Sequence, residues 1–146
     1  MKVLVCIDLS PLSVPIADQA GKIATMTGAS LLLVHAVRAA RAVADLPQLV
    51  APDDMEQRVT ELESIAARLR AKGASVEAEV KLTEAPIPHF LVDESVRTGS
   101  DLILVGSHGR SKAFELFVGS STQGVIREAM IPVVVVNGTR SVGGPG

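Results

Sequence analysis

Apolar positions along this chain recur with two periods in turn, one near 2 residues and one near 3.6, the spacings of strands and helices. Lys2 to Ile7 (KVLVCI) is short, apolar and rich in β-branched residues, as a buried strand is. Ser10 followed by Pro11 pairs an N-cap with a first-turn proline. Ile16, Ala17, Ala20, Ile23 and Ala24 then repeat at helical spacing until Gly28 supplies a stop. Ser30 to Val37 reads as a second strand. Arg38 to Asp53 has no clean period and carries Pro47 and Pro52, so a long surface loop is expected there. Asp54 with Gln57 resembles a capping box, and Met55, Val59, Leu62, Ile65, Ala66 and Leu69 form one apolar stripe ending at Gly73.

The second half repeats the alternation. In Ser75 to Leu82, Val76, Ala78, Val80 and Leu82 alternate with polar residues, which predicts a strand with one wet face at a sheet edge. Pro86 and Pro88 fit only the first turn of the next helix, which runs to about Thr98. Asp93 and Glu94 read as its solvated face. Asp101 to Val105 (DLILV) is a core strand closing on Gly106. Ser120 with Gln123 again resembles a capping box, opening a helix through Ala129. Pro132 to Val136 is the last strand, and the Gly-rich stretch after it is expected to be disordered.

This order gives one α/β domain over residues 1–137, with a tail at 138–146. Right-handed crossovers make it a doubly wound, Rossmann-like parallel sheet of five strands with helices on both faces. In such sheets ligands sit at the carboxyl ends of the strands, where the strand order reverses. Two of those ends, Asp8 and Gly106, carry chemistry.

Composition narrows the function. With 14 basic and 16 acidic residues scattered along the chain, and neither Trp nor Tyr, there is no basic stripe or stacking platform for nucleic acid. Cys6 is the one cysteine, which rules out an intrachain disulfide, and it reads as a packed thiol. The apolar stretch before Asp8 is too short for a signal-peptide core, and no later run reaches the ~18 residues of a membrane span, so a cytoplasmic protein is expected. His35, His89 and His108 lie in separate segments with no cysteine or carboxylate at ligand spacing, which argues against a metal site built from side chains.

Gly106-Ser107-His108-Gly109 follows a core strand, and Gly119-Ser120-Ser121 opens a helix. Glycines let backbone approach a phosphate, and a helix start offers unpaired N–H groups and a positive dipole end. Ser120 and Ser121 add hydroxyls, and Arg110 and Lys112 add positive charge. Each residue alone is most simply a turn or a cap. Together, between a strand and a helix, they make a phosphate cradle, although neither GxxxxGK[ST] nor GxGxxG is present.

Gly106-x2-Gly109-x9-Gly119-Ser120 resembles the ATP-binding signature of the universal stress protein family, G-x2-G-x9-G-[ST]. The flanking DLILVGSHGRS and IPVVVV and the early Asp8-Leu9-Ser10 are similar to that family too, so the resemblance spans residues 2–137. It implies strand order 3-2-1-4-5, ATP with Mg2+ or Mn2+, and a homodimer paired through Val133 to Val136. By the same resemblance Asp8 contacts the ribose or adenine side and helps place the cation, and backbone near Ala36 bonds the adenine. Val105 and Gly106 line the nucleoside, and Gly109, Gly119, Ser120 and Ser121 hold phosphates, with the charge of Arg110 beside them. Leu9 stands where the family commonly has glycine. No second carboxylate is placed to act as a base, so no catalytic residue is assigned. The expected role is an ATP-dependent binding module of the stress response acting on a protein partner. A slow ATPase and a nucleotide-independent interaction protein are the alternatives.

Overall fold

The computed structural model describes residues 1–39, 52–107 and 120–137. They form β1 (Lys2–Cys6), α1 (Ser13–Thr27), β2 (Ser30–Arg38), α2 (Pro52–Ala71), β3 (Val76–Thr83), α3 (Ile87–Arg97), β4 (Leu102–Gly106), α4 (Ser120–Glu128) and β5 (Val133–Val136). All strand pairings are parallel, and the order across the sheet is β3-β2-β1-β4-β5.

Because successive side chains of a strand face opposite ways, the continuous apolar runs of β1, β2 and β4 feed two cores. Val3, Val5, Leu31 and Leu33 pack with Ala17 and Ala20 of α1 and Leu62 and Leu69 of α2. Leu4, Leu32, Val34 and Ile103 pack with Leu91 of α3 and Val125 of α4 on the other face. The sheet is thus covered on both sides, as the apolar strands require.

Glycines close the helices where expected. Gly28 takes a left-handed conformation (φ 72°) and donates its N–H to the Ala24 carbonyl at 2.8 Å. Gly73 at φ 94° and Gly99 at φ 65° follow α2 and α3.

Helix starts depart from expectation. Ser10 does not cap α1: the N-cap position is Leu12, without a side-chain bond, and the helix begins at Ser13. Leu9, at φ 61°, turns the chain before the helix can start, and the Ser10 hydroxyl accepts the Leu12 N–H at 3.3 Å instead. Asp54 and Gln57 form no capping box, because α2 already begins at Pro52 and Asp54 lies inside it. A proline suits a first turn, where its missing N–H costs nothing.

The polar faces also differ. Val59 of the α2 stripe is half exposed, as is Leu82 at the end of β3. β3 is an edge strand, but its polar face is partly covered by α3, where Lys81 lies 3.8 Å from Glu94. Glu94 itself, expected on the wet face with Asp93, is only 5% exposed. The position packs against the sheet, and the carboxylate is tolerated there because Arg97 grips both oxygens at 2.7 Å. Arg97, helped by Lys81, holds the Glu94 carboxyl below the ordinary glutamate range.

The expected loop from Arg38 to Asp53 falls largely outside the described residues, and the tail at 138–146 falls wholly outside them.

Candidate functional site

The chain leaves β1 through α1 toward β2, and leaves β4 through α4 toward β5, so the order reverses between the adjacent strands β1 and β4. A crevice opens at such a reversal on the carboxyl side of the sheet. Three strand ends meet there.

At the end of β1, Asp8 Oδ1 accepts the Ser10 N–H at 2.9 Å and the Ser13 hydroxyl at 3.3 Å. Ser13 is buried at the start of α1 and was not singled out from the sequence. Its spacing from Asp8 becomes meaningful only once Leu9 bends the chain back. A leucine at positive φ is strained, because its Cβ crowds the following carbonyl. That conformation is the physical reason glycine suits this position.

At the end of β2 the hydrogen-bond register is informative. Ser30 donates to Met1 and Val34 accepts from Ile7, so even-numbered residues of β2 address β1; Leu31 donates to Ser75, so odd-numbered ones address β3. Ala36 belongs to the β1-facing set, yet the last β1–β2 pairing is Cys6 with Val34. The Ala36 N–H and carbonyl therefore aim at a place β1 has already left.

At the end of β4 the Gly106 carbonyl accepts the Thr122 hydroxyl at 2.6 Å. That bond fastens the first turn of α4 to the strand, while Ser120 and Ser121 beside it stay exposed. Thr122 was also missed from sequence; a threonine after two serines carries no sign of which hydroxyl turns inward. The described first turn of α4 holds no acidic residue. The Ser107 N–H pairs with the Val136 carbonyl at 2.9 Å, tying this rim to β5. Val105 is 3% exposed and its side chain packs into the α3–α4 core. Gly109, Arg110 and Gly119, with His108 and Lys112, lie outside the described residues.

The rim thus gathers Asp8, Ala36, Gly106, Ser120 and Ser121 from the ends of β1, β2 and β4 and the start of α4. Amides and hydroxyls near a helix start suit an anion, and a carboxylate held by two donors has a set direction. Among the described residues no group of three His, Cys, Asp or Glu side chains is placed to hold a metal ion. A cation at Asp8 would need most of its oxygen ligands from a bound phosphate chain and water, which is how Mg2+ is usually held.

Other polar residues have structural roles. Burial pushes the Cys6 thiol up to about 12, which suppresses its thiolate. His89 lies between Asp93 at 3.4 Å and Glu128 at 3.5 Å, linking α3 to α4 at the surface.

The model of the universal stress protein family matches residues 1–137. The chain belongs to that family. It is 28% identical over 137 residues to universal stress protein A homolog 2 of Coxiella burnetii, covering 92% of this chain and 93% of that protein. Over a shorter stretch of 82 residues it is 33% identical to universal stress protein MJ0577 of Methanocaldococcus jannaschii, covering 56% of this chain and 49% of that protein. The solved MJ0577 structure superposes with a TM-score of 0.81 at 24% identity, covering 96% of this chain and 97% of that one. A universal stress protein of Archaeoglobus fulgidus in complex with dAMP superposes with a TM-score of 0.73 at 20% identity, over 94% and 98% of the two chains. One in complex with cAMP gives 0.72 at 24% identity, over 95% and 98%. At these identities the superpositions show a shared fold. No described helix of this family member is long and apolar enough to cross a membrane.

Proposed function

We propose that this family member is an ATP-dependent binding module whose nucleotide lies across the ends of β1, β2 and β4. One observation carries the reading: the Ala36 backbone aims at a gap left by β1, while Thr122 holds the exposed Ser120 and Ser121 beside Gly106 at the same rim. Adenine at Ala36 and phosphates at the start of α4 fit that spread of donors. Asp8 would supply one carboxylate to the ribose or to a Mg2+ carried by the phosphates. The solved relatives in complex with dAMP and cAMP support an adenine nucleotide as the ligand class. The glycine signature, with Gly109, Arg110 and Gly119, supports a phosphate chain.

Mass spectrometry of ligand released from the purified protein tests this directly, together with the melting shift on adding ATP and Mg2+. Adenine nucleotide in the released fraction, or a rise in Tm lost in Gly109→Val, is the expected result. No shift at millimolar ATP and no released nucleotide would reject the reading.

The same module is proposed to act as a homodimer through β5. This edge strand exposes Val134 and Val135 by more than a third, and Ile126 of α4 and Met130, between α4 and β5, are exposed as well. An apolar edge of this kind invites pairing with another chain. Light scattering should find a dimer in the wild type and a monomer in Val135→Lys; a wild-type monomer would remove this part of the reading.

A further inference from the structure

β3 leaves the sheet open on its outer side, and the row of backbone groups it presents there has a definite extent. The Leu31 N–H bonds the Ser75 carbonyl and the Ala39 N–H bonds the Thr83 carbonyl, so odd-numbered residues of β3 address β2. Even-numbered ones turn their N–H and carbonyl groups outward. Arg70 closes one end of this row, its Nε donating to the Val76 carbonyl at 2.9 Å. At the other end the strand stops at Thr83. Ala78, Val80 and Leu82 remain, and their outward groups meet no partner among the described residues.

Charges flank the row on the α3 face of the strand. Lys81 Nζ lies 3.4 Å from Glu79 Oε2 and 3.8 Å from Glu94 Oε2. Glu94 has Arg97 as its main partner. Glu79 Oε2, in contrast, is buried without a hydrogen bond among the described residues, so Lys81 meets it as an ion pair only. On the opposite face Ala78 and Val80 pack partly against the α1–α2 core, while Leu82 is 57% exposed.

A second copy of this strand, run antiparallel about a two-fold axis at Val80, fits these features together. Ala78 then stands opposite the partner's Leu82, Val80 opposite the partner's Val80, and Glu79 opposite the partner's Lys81. The outward residues form the pairs that exchange two hydrogen bonds each, and Glu79 with Lys81 falls between them, where opposed side chains approach most closely. Symmetry makes that ion pair twice and offers each Glu79 Oε2 an ammonium donor. The bare Leu82 lies over a small residue. An axis one residue to either side opposes Glu79 to Glu79 or Lys81 to Lys81, and like charges directly opposed destabilise a sheet. Charges commonly blunt an edge strand. Here they also select one register.

We propose that β3 is a self-association edge that pairs antiparallel with β3 of a second copy about Val80. This is independent of the nucleotide reading and of pairing through β5, which lies at the other edge of the sheet. Three outward residues bury little surface, so the pairing is weak and shows at millimolar chain, whereas micromolar chain reports β5 alone. Two-fold pairing at both edges joins dimers into an open row.

The test is small-angle X-ray scattering of the full chain carrying Val135→Lys, which removes β5 pairing, from micromolar to millimolar concentration. Monomer should pass into dimer across that range. Adding Glu79→Lys, or instead Lys81→Glu, turns both symmetry-related pairs repulsive and should weaken the association about tenfold. Mixed in equal amounts, those two variants again set opposite charges across the axis and should pair. Hydrogen exchange at the amides of Ala78, Val80 and Leu82 should slow as concentration rises, while Glu79 and Lys81, whose amides face β2, should not change. A chain that stays monomeric at millimolar concentration, a dimer untouched by Glu79→Lys, or unchanged exchange at the three outward amides overturns the proposal. Should Lys81→Glu not fold, Glu79→Lys and the exchange pattern decide.

Discussion

The hydroxyl of Thr122 and the carbonyl of Gly106, sixteen residues apart, meet at 2.6 Å and lock the start of α4 onto the end of β4. Without that bond the helix would still pack through Val125, but its first turn would have no fixed height above the strand. Thr122→Val keeps the shape and removes the donor. It should lower stability by about 1 kcal/mol, with Thr122→Ser near wild type, as read by urea unfolding. Nucleotide affinity should fall in the valine variant as well. Equal stability in both variants would show that the bond contributes nothing.

Leu9 holds φ at 61°, in a region that costs a side chain roughly 1–2 kcal/mol. It also packs partly against the α1–α2 core, so simple removal of the side chain mixes two effects. Leu9→Ala and Leu9→Gly lose the same packing, and only glycine escapes the strain. The glycine variant should be the more stable of the two by about 1 kcal/mol, against the usual order of these residues. Denaturant midpoints that favour alanine would refute the strain.

A Cβ added at Gly124 would fall 2.6 Å from Cβ and 2.8 Å from Cγ of Pro88, between α4 and α3. A proline ring cannot swing aside, so the helices must separate. Overpacking of this kind costs about 1–3 kcal/mol, more than the ~1 kcal/mol that alanine gains over glycine in a helix. Gly124→Ala should therefore lower Tm. At Gly21 the nearest atom is Leu69 Cδ2 at 3.1 Å, the flexible end of a side chain, and Gly21→Ala should leave Tm nearly unchanged. Equal effects at the two sites would mean that α3 and α4 adjust freely.

Glu94 links stability to acid. Arg97 and Lys81 lower its carboxyl below the unfolded value of 4.5, so the folded chain binds this proton less readily than the unfolded one. The resulting stability is present in full above pH 4.5 and is lost as pH falls through the folded value. Glu94→Gln should be less stable at neutral pH and show a flatter decline between pH 5 and pH 3, measured by thermal melts across that range. A decline as steep as in wild type would assign the acid sensitivity to other carboxylates.

How far the sequence reached differs by element. Every strand and helix was legible, because an apolar run or a helical stripe is a local property of a few neighbouring residues. The Gly106 to Ser121 signature was legible for the same reason, and so was the family. Helix starts were read less well. Ser10 and Asp54 look like caps in isolation, yet Leu9 and Pro52 moved both starts by bending or initiating the chain elsewhere.

By itself, the sequence determined the alternation of elements, the two-faced packing of the central strands, and the residue types offered at the strand ends. Tertiary structure alone decided that Glu94 is buried with Arg97, that Thr122 turns inward to Gly106, that the Ala36 backbone faces a vacated place, and that Arg70 reaches the Val76 carbonyl. The reason is the range of the forces involved. Periodicity reports which way a side chain points from its own element. Which partner it meets depends on how elements far apart in the chain are set against one another.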